Sequence, residues 1–392
     1  MIRGLLIGVA VVIALPGAAA VVRTTVLTIA SFLYREPRPG GDAAPVRFLV
    51  MIPAHNEEKL IGTTLESLRA VMRPRDSVVV IADRCSDATA AVAQSYGAEV
   101  LERGPGEEPG RGPARQAGLE YARRLPWDAL VMIDADSVVE EGFFDACERM
   151  LATGAESLQA RSEYLPRPGV VGRLALANFA LEGVTLPRGR DALRSSVRLR
   201  GTGMVLSRRL VEGQAVFRSG ASEDLRYGLD LCLAGIRSRH VESARLRSVS
   251  AGSWQDASTQ KLRHEAGRIN SAREYLLPLL RRGTWACLEA AWFLATPPLA
   301  ASTVLLLAGT ALAVAAGAWP VAAVTGGFVA VLGIDVLAAM AAARLPASAY
   351  LALLAAPWYL VWKVPVQLRA VASVRRRETD FPAMPRDEVP TP

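Results

Sequence analysis

The chain has 392 residues, 51% apolar and 21% charged, with a net charge of +7 carried almost wholly by arginine; the lysines are Lys59, Lys261 and Lys363. That length suits one sizeable catalytic domain with additional segments, and the wide spacing of Cys85, Cys147, Cys232 and Cys287 argues against a zinc site or a disulfide framework. Aromatic residues do not interleave with the basic ones, which disfavours a nucleic-acid surface and leaves anionic lipid or phosphorylated substrate to answer the positive charge.

Residues 4–22 are apolar and uncharged, long enough to cross a bilayer. A cleaved signal peptide is the alternative, with Arg3 ahead of the run and Ala18-Ala19-Ala20 as its cleavage site. Arg23, Arg35 and Arg38 follow the run and favour an uncleaved anchor with a cytosolic downstream flank. The middle of the chain then alternates short apolar runs with helical patterns. Phe48 to Ile52, Val78 to Ile81, Glu99 to Leu101 and Leu130 to Ile133 read as strands of a buried parallel sheet. Helical patterns follow through Leu60, Thr64, Leu65 and Leu68, then over 89–96 and 114–124, and a Gly-, Pro- and Glu-rich stretch at 104–112 reads as a loop. This alternation predicts a doubly wound α/β sheet, in which ligands bind beyond the carboxyl ends of the strands.

Polar residues occupy those ends. Pro53-Ala54-His55-Asn56-Glu57-Glu58 follows the first strand, Asp83-Arg84-Cys85-Ser86-Asp87 the second and Asp134-Ala135-Asp136 the fourth. Asp87 and Glu58 also suit plain helix-start positions. Two carboxylates leaving a buried strand, as Asp134 and Asp136 do, repel each other unless a cation lies between them. Mg²⁺ or Mn²⁺ is held by such carboxylates together with substrate phosphates. No Gly-x-x-x-x-Gly-Lys-Ser/Thr or Gly-x-Gly-x-x-Gly follows a strand, which disfavours a P-loop or dinucleotide enzyme.

The order of these motifs, continued by Gly201-Thr202-Gly203, Glu223-Asp224 and Gln260-x-x-Arg263, resembles a family-2 glycosyltransferase of the membrane-bound, cellulose-synthase-like and chitin-synthase-like group. The resemblance covers about 46–282. It implies a GT-A domain that uses a nucleotide-diphosphate sugar, with a UDP-sugar the expected donor and a divalent cation as cofactor. By the same resemblance Pro53, Glu57 and Asp83 would hold the nucleotide, Asp136 the metal, and Asp134 the metal or the nucleotide. Gly201, Gln260 and His264 would line the substrate site. Arg111 stands where the family often has a Lys ahead of the fourth strand; it is either a diphosphate contact or a solvated loop arginine. Inverting transfer needs a base for the acceptor hydroxyl, and the family pattern puts Asp224 there, with Glu223 next to it and Arg263 beside the leaving diphosphate. The rival for Ser222-Glu223-Asp224 is a capped helix start, with Ser222 as the cap. His55 and His240 read as structural.

One departure concerns the acceptor. The family motif often ends Gln-x-x-Arg-Trp, and here it ends Gln260-Lys261-Leu262-Arg263-His264. Imidazole offers less stacking surface than indole. A small, membrane-delivered lipid acceptor is therefore favoured over a growing polysaccharide, although these basic residues also suit an interfacial helix on anionic headgroups.

The C-terminal third returns to the membrane. Residues 298–318 and 321–343 are two further spans, with Asp335 expected to face protein rather than lipid. A third apolar stretch, 349–366, carries Trp358, Tyr359, Trp362 and Lys363 and reads as interfacial or re-entrant, because a further crossing would leave Arg375 to Arg377 outside. The expected organisation is an anchor at 1–34, a GT-A domain at 35–284, membrane segments at 285–370 and a disordered tail at 371–392. The expected function is inverting transfer of a hexose-type sugar to a lipid or saccharide acceptor by an integral protein of a bacterial inner membrane, with its catalytic domain cytosolic. A processive exopolysaccharide synthase and a catalytically silent membrane scaffold are the alternatives.

Overall fold

The computed structural model describes residues 2–37, 44–164, 169–214, 222–248 and 254–376. Arg38 and the tail from Arg377 lie outside the described residues. The strands are β1 (Phe48–Ala54), β2 (Ser77–Asp83), β3 (Glu99–Arg103), β4 (Ala129–Met132), β5 (Ser137–Val139), β6 (Ser157–Tyr164), β7 (Met204–Ser207) and β8 (Ser238–Ser248). The helices, numbered along the chain, are α1 (Ile2–Ser31), α2 (Ile61–Val71), α3 (Thr89–Ser95), α4 (Arg111–Ala122), α5 (Phe143–Leu151), α6 (Val170–Phe179), α7 (Leu186–Ala192), α8 (Arg208–Gln214), α9 (Glu223–Leu233), α10 (Trp254–Arg282), α11 (Trp285–Ala295), α12 (Leu299–Ala315), α13 (Trp319–Ala342), α14 (Ala347–Ala352) and α15 (Ala356–Arg376). Two compact units divide them: Met1–Tyr34, Pro168–Ser195 and Ala257–Glu378 form one, and the sheet and its helices form the other. The expected 35–284 domain is thus interrupted, because 168–195 and the chain from Ala257 group with the terminal helices.

The sheet unit is built on eight strands in the order β3-β2-β1-β4-β7-β6-β8-β5. β3, β2, β1 and β4 run parallel, with Val50 opposite Val78 and Val131. β7 then pairs antiparallel to β4, so the sheet is mixed rather than wholly parallel. β1 is apolar at successive positions because both of its faces are covered. Phe48, Val50 and Ile52 pack toward α2 and α5, through Ile61, Leu65, Leu68, Phe143 and Phe144. Leu49 and Met51 pack on the opposite side with Leu119 of α4, Tyr227 and Leu231 of α9, and Trp127. Gly118 lets α4 lie close to the sheet: a Cβ there would stand 2.7 Å from Met51 Sδ. Chain order reverses at β1, with β2 on one side and β4 on the other, and that reversal opens the crevice at which open α/β sheets bind ligands.

The helical unit is set by contacts between α1, α12 and α13. Arg3 donates to Ala316 O at 3.0 Å and Gly317 O at 3.2 Å, so the α12–α13 junction lies beside the start of α1. A Cβ on Gly309 would meet Ala10 O at 2.8 Å, and one on Gly17 would meet Ser302 O at 2.7 Å, so α12 runs antiparallel to α1. Thr25 donates to Asp335 Oδ2 at 2.7 Å near the other end of α1, so α13 returns alongside it. Asp335 is buried, facing protein as its charge requires.

Among the described residues three helices are long and apolar enough to cross a membrane: α1, α13 and the stretch Ala347–Gln367. Counting the pair α11 and α12, bent by 61°, as one span makes four. Alone, the 17 residues of α12 reach only about 25 Å, short of a ~30 Å hydrocarbon core. The stretch expected to be interfacial is therefore long enough to span. Arg23, expected as a flanking charge, lies instead inside α1, where it is 6% exposed and ion-paired with Glu289 of α11. Arg190 of α7 holds the same carboxylate at 3.2 Å, and both guanidiniums face the Phe293 ring.

Candidate active site at the carboxyl rim of the sheet

Each parallel strand ends in a polar turn. At the end of β2, Asp83 is buried and its carboxylate pairs with Arg103 of β3. Arg103 also meets Glu107 Oε2 at 3.0 Å and Glu108 O at 2.9 Å. Pro53, half-buried in β1, lies opposite Ile81 in the register. Glu57 is half-buried, with its amide donating to Thr89 Oγ1 at 2.8 Å. Asp87 and Glu58 are structural: Asp87 Oδ2 accepts from the Glu58 amide at 3.1 Å, and Glu58 Oε2 accepts from the Ala88 amide at 2.9 Å. His55 Nδ1 lies 2.6 Å from Asp83 O, and buried His240 Nε2 lies 3.0 Å from Glu242 Oε2; both hold backbone or strand in place.

The densest charge lies beyond β4. Asp134 and Asp136 leave the strand in one tight turn, with Asp136 6% exposed. The 201–203 turn is fastened beneath them: the Asp134 amide donates to Thr202 Oγ1 at 3.2 Å, and the Gly203 amide donates to Met132 O at 2.8 Å. Gly201 has φ +84°, where a side chain is strained, and a Cβ there would stand 3.1 Å from Arg115 Nη2 and 3.4 Å from Asp224 Oδ2.

Helix α4 supplies the cations. It begins at Arg111, inside the stretch expected to be loop, and the Arg111 side chain is half-exposed at the rim. Its Nη1 lies 3.5 Å from Asp134 Oδ2. The Arg111 guanidinium is stabilised in its charged form first by Asp134, and then, against burial, by Glu223, Asp136 and Asp224. Its charge is thus answered by carboxylates of two chain-distant segments, with Asp134 the one in direct reach. One turn on, at the i+4 position of the same face, Arg115 is almost wholly buried; its Nη1 meets Glu223 Oε1 at 3.0 Å and its Nη2 lies 3.8 Å from Asp134 Oδ1. Nothing in the sequence motifs singled out Arg115. Its spacing from Arg111 was the available signal.

Helix α9 brings Glu223 and Asp224. Ser222, the cap of the rival reading, has φ +61° and makes no side-chain capping bond. The first-turn acids therefore stand at the helix's positive end without a capping box. Burial first, and Glu223 second, raise the proton affinity of Asp224; Arg115, the Leu225 amide and Arg198 oppose them. The rim so brings together Asp134, Asp136, Gly201, Glu223, Asp224 and Arg111. Gln260, Arg263 and His264 lie on α10 in the helical unit, with Arg263 half-buried, His264 exposed and the Gln260 side chain outside the described residues.

Among the described residues no three carboxylate, histidine or cysteine groups form a metal cage. Asp134 and Asp136 fit a cation that takes its remaining ligands from substrate phosphates and water.

Residues 45–267 match the family described as glycosyltransferase-like family 2. The chain belongs to glycosyltransferase family 2. Its family-2 region contains the whole sheet and the rim described above. The 4,4'-diaponeurosporenoate glycosyltransferase of Staphylococcus aureus strain MRSA252 is 38% identical over 90 residues, 22% of this chain and 23% of that protein. The same enzyme of strain bovine RF122 / ET3-1 aligns to the same extent, so less than a quarter of these relatives' length is matched. Among solved structures, the mannosyltransferase PcManGT from Pyrobaculum calidifontis, in complex with GDP-Man and Mn²⁺, superposes with a TM-score of 0.52 at 17% identity, over 95% of this chain and 99% of that one. This family-2 chain therefore carries the GT-A fold.

Proposed function

We propose that the protein is an inverting glycosyltransferase that moves a hexose-type sugar from a nucleotide-diphosphate donor to a membrane-associated lipid acceptor. The observation that carries this is the joining of Asp134 and Glu223 by Arg111 and Arg115 of α4, beside Asp224, at the carboxyl rim of the sheet. A site of that charge pattern needs a substrate that brings phosphate and takes away a proton. Asp83 and Glu57, at the ends of β2 and β1, would receive the nucleoside; for Asp83 this requires Arg103 to share or yield its carboxylate. Asp136, with Asp134, would hold Mg²⁺ or Mn²⁺, which when bound offsets charge on the diphosphate. Arg111 would take up negative charge that grows on the leaving diphosphate.

Asp224 would accept the proton of the acceptor hydroxyl as that oxygen attacks the anomeric carbon and the bond to the diphosphate breaks. Burial beside Glu223 makes it a stronger base than a free carboxylate. Among the described residues three or four helices are long and apolar enough to cross a bilayer, which supports delivery of the acceptor from the membrane; the sheet unit would lie in the cytosol, with the donor. The curated relatives' name, which gives 4,4'-diaponeurosporenoate as acceptor, agrees with a lipid rather than a polymer. Membranes carrying the protein, incubated with a panel of nucleotide sugars, are expected to yield a glycosylated lipid by mass spectrometry. A soluble or membrane-bound polymer as the main product would replace this reading with that of a processive synthase.

A further inference from the structure

Arg115 is 1% exposed, so no substrate reaches its guanidinium, yet it touches three segments of the rim. Its Nη1 meets Glu223 Oε1 at 3.0 Å, at the start of α9. Its Nη2 donates to Gly201 O at 3.3 Å and lies 3.8 Å from Asp134 Oδ1, just beyond β4. α4 itself is seated on the sheet through Gly118. We infer that Arg115 is a positioning residue that ties the base-bearing start of α9 to the donor-binding end of β4, and so sets both the placement and the basicity of Asp224.

Three features support that role. Only the planar fork of arginine reaches several acceptors at once from a fixed stem. A methyl group on Gly201 would stand 3.1 Å from Arg115 Nη2 and 3.4 Å from Asp224 Oδ2, so the guanidinium and the base flank one backbone position. The charges that act on Asp224 include Glu223 on its own helix, Arg115 and Arg111 on α4, and Arg198 ahead of the Gly201 turn, with Asp134 held against the same Arg115. Arg115 leads the charges that favour the carboxylate, and Glu223 leads those that oppose it. Arg115 acts on the base through Glu223 and through its field.

This role presupposes Asp224 as the base, and the test separates the two. The kcat and KM of Arg115→Lys, Arg115→Met and Glu223→Gln are measured across pH, with donor binding and melting temperature in parallel. Arg115→Lys keeps the charge and loses the fork; kcat is expected to fall about tenfold or more while donor KM stays within about twofold. Removing the cation in Arg115→Met is expected to move the acid limb of the kcat profile to higher pH. Removing the anion in Glu223→Gln is expected to move it to lower pH. Opposite shifts are what a general loss of packing does not produce. If Arg115→Met does not fold, Arg115→Lys and Glu223→Gln still decide. Full kcat in Arg115→Lys, or no shift of the limb in Glu223→Gln while Asp224→Asn abolishes turnover, would overturn the role of Arg115 alone. Near-normal turnover in Asp224→Asn would overturn the base assignment itself.

Discussion

Asp224 is held in a place that raises its affinity for a proton, through burial first and Glu223 second. Folding therefore favours its protonated form. The stability that depends on it is fully present below the ordinary Asp range, near ~3.9, and is lost as pH rises through the raised folded value. Asp224→Asn should consequently melt at a higher temperature than the wild type at neutral pH, with the gap narrowing as pH falls. A wild type that is the more stable of the two at neutral pH would contradict this. Much of the rim was legible residue by residue, because Asp134, Asp136 and Asp224 each follow an apolar strand or open a helix. Arg115 was not, since a buried arginine in an arginine-rich chain looks like any other until its partners are known. The rival reading of Ser222 as a cap has a related source: a serine ahead of two acids has the form of a cap, while here its backbone is left-handed and it makes no side-chain capping bond.

β1, β2 and β4 were legible because apolar runs betray strands buried on both faces, and β3 was legible as a shorter run between β2 and β4. β6 and β8 were not, because their polar residues are paired within the sheet unit. Arg161 meets Glu242, and Ser157 Oγ lies 2.8 Å from Ser238 Oγ. Charge inside the helical unit was hidden in the same way. Arg23 looked like a flanking residue, and the length of α1 buries it against Glu289. Glu289 joins α1, α7 and α11 through Arg23 and Arg190, with Ser195 Oγ a further donor at 3.3 Å. Removing one partner of a buried ion pair leaves the others uncompensated at a cost of roughly 3–5 kcal/mol. Glu289→Leu in detergent should lower the unfolding free energy by about that amount, as read by chemical denaturation. A change under about 1 kcal/mol would show that the cluster is solvated rather than buried.

At the scale of the whole molecule, the expected continuous catalytic domain is two units whose segments alternate along the chain. Composition marked the terminal helices, but 168–195 carries Arg173, Arg188 and Arg190 among its apolar residues and gave no such mark. Contacts within the helical unit put the α12–α13 junction on the side where α1 begins. A cysteine placed at exposed Trp319 should therefore be labelled from outside intact cells, and one at exposed Ala152 in the sheet unit only after the membrane is opened. Labelling of the Ala152 position from outside intact cells would contradict the proposed orientation and remove the cytosolic donor.

Transfer and nucleotide binding by Asp224→Asn and Asp136→Asn, measured side by side, test the central claim most directly. Asp224→Asn should lose turnover by ~10²–10⁴-fold while keeping donor affinity, because only the proton acceptor is gone. Asp136→Asn should lose donor affinity as well, since its carboxylate would hold the cation that binds the diphosphate. Near-normal turnover in Asp224→Asn, or undiminished donor binding in Asp136→Asn, would contradict the account.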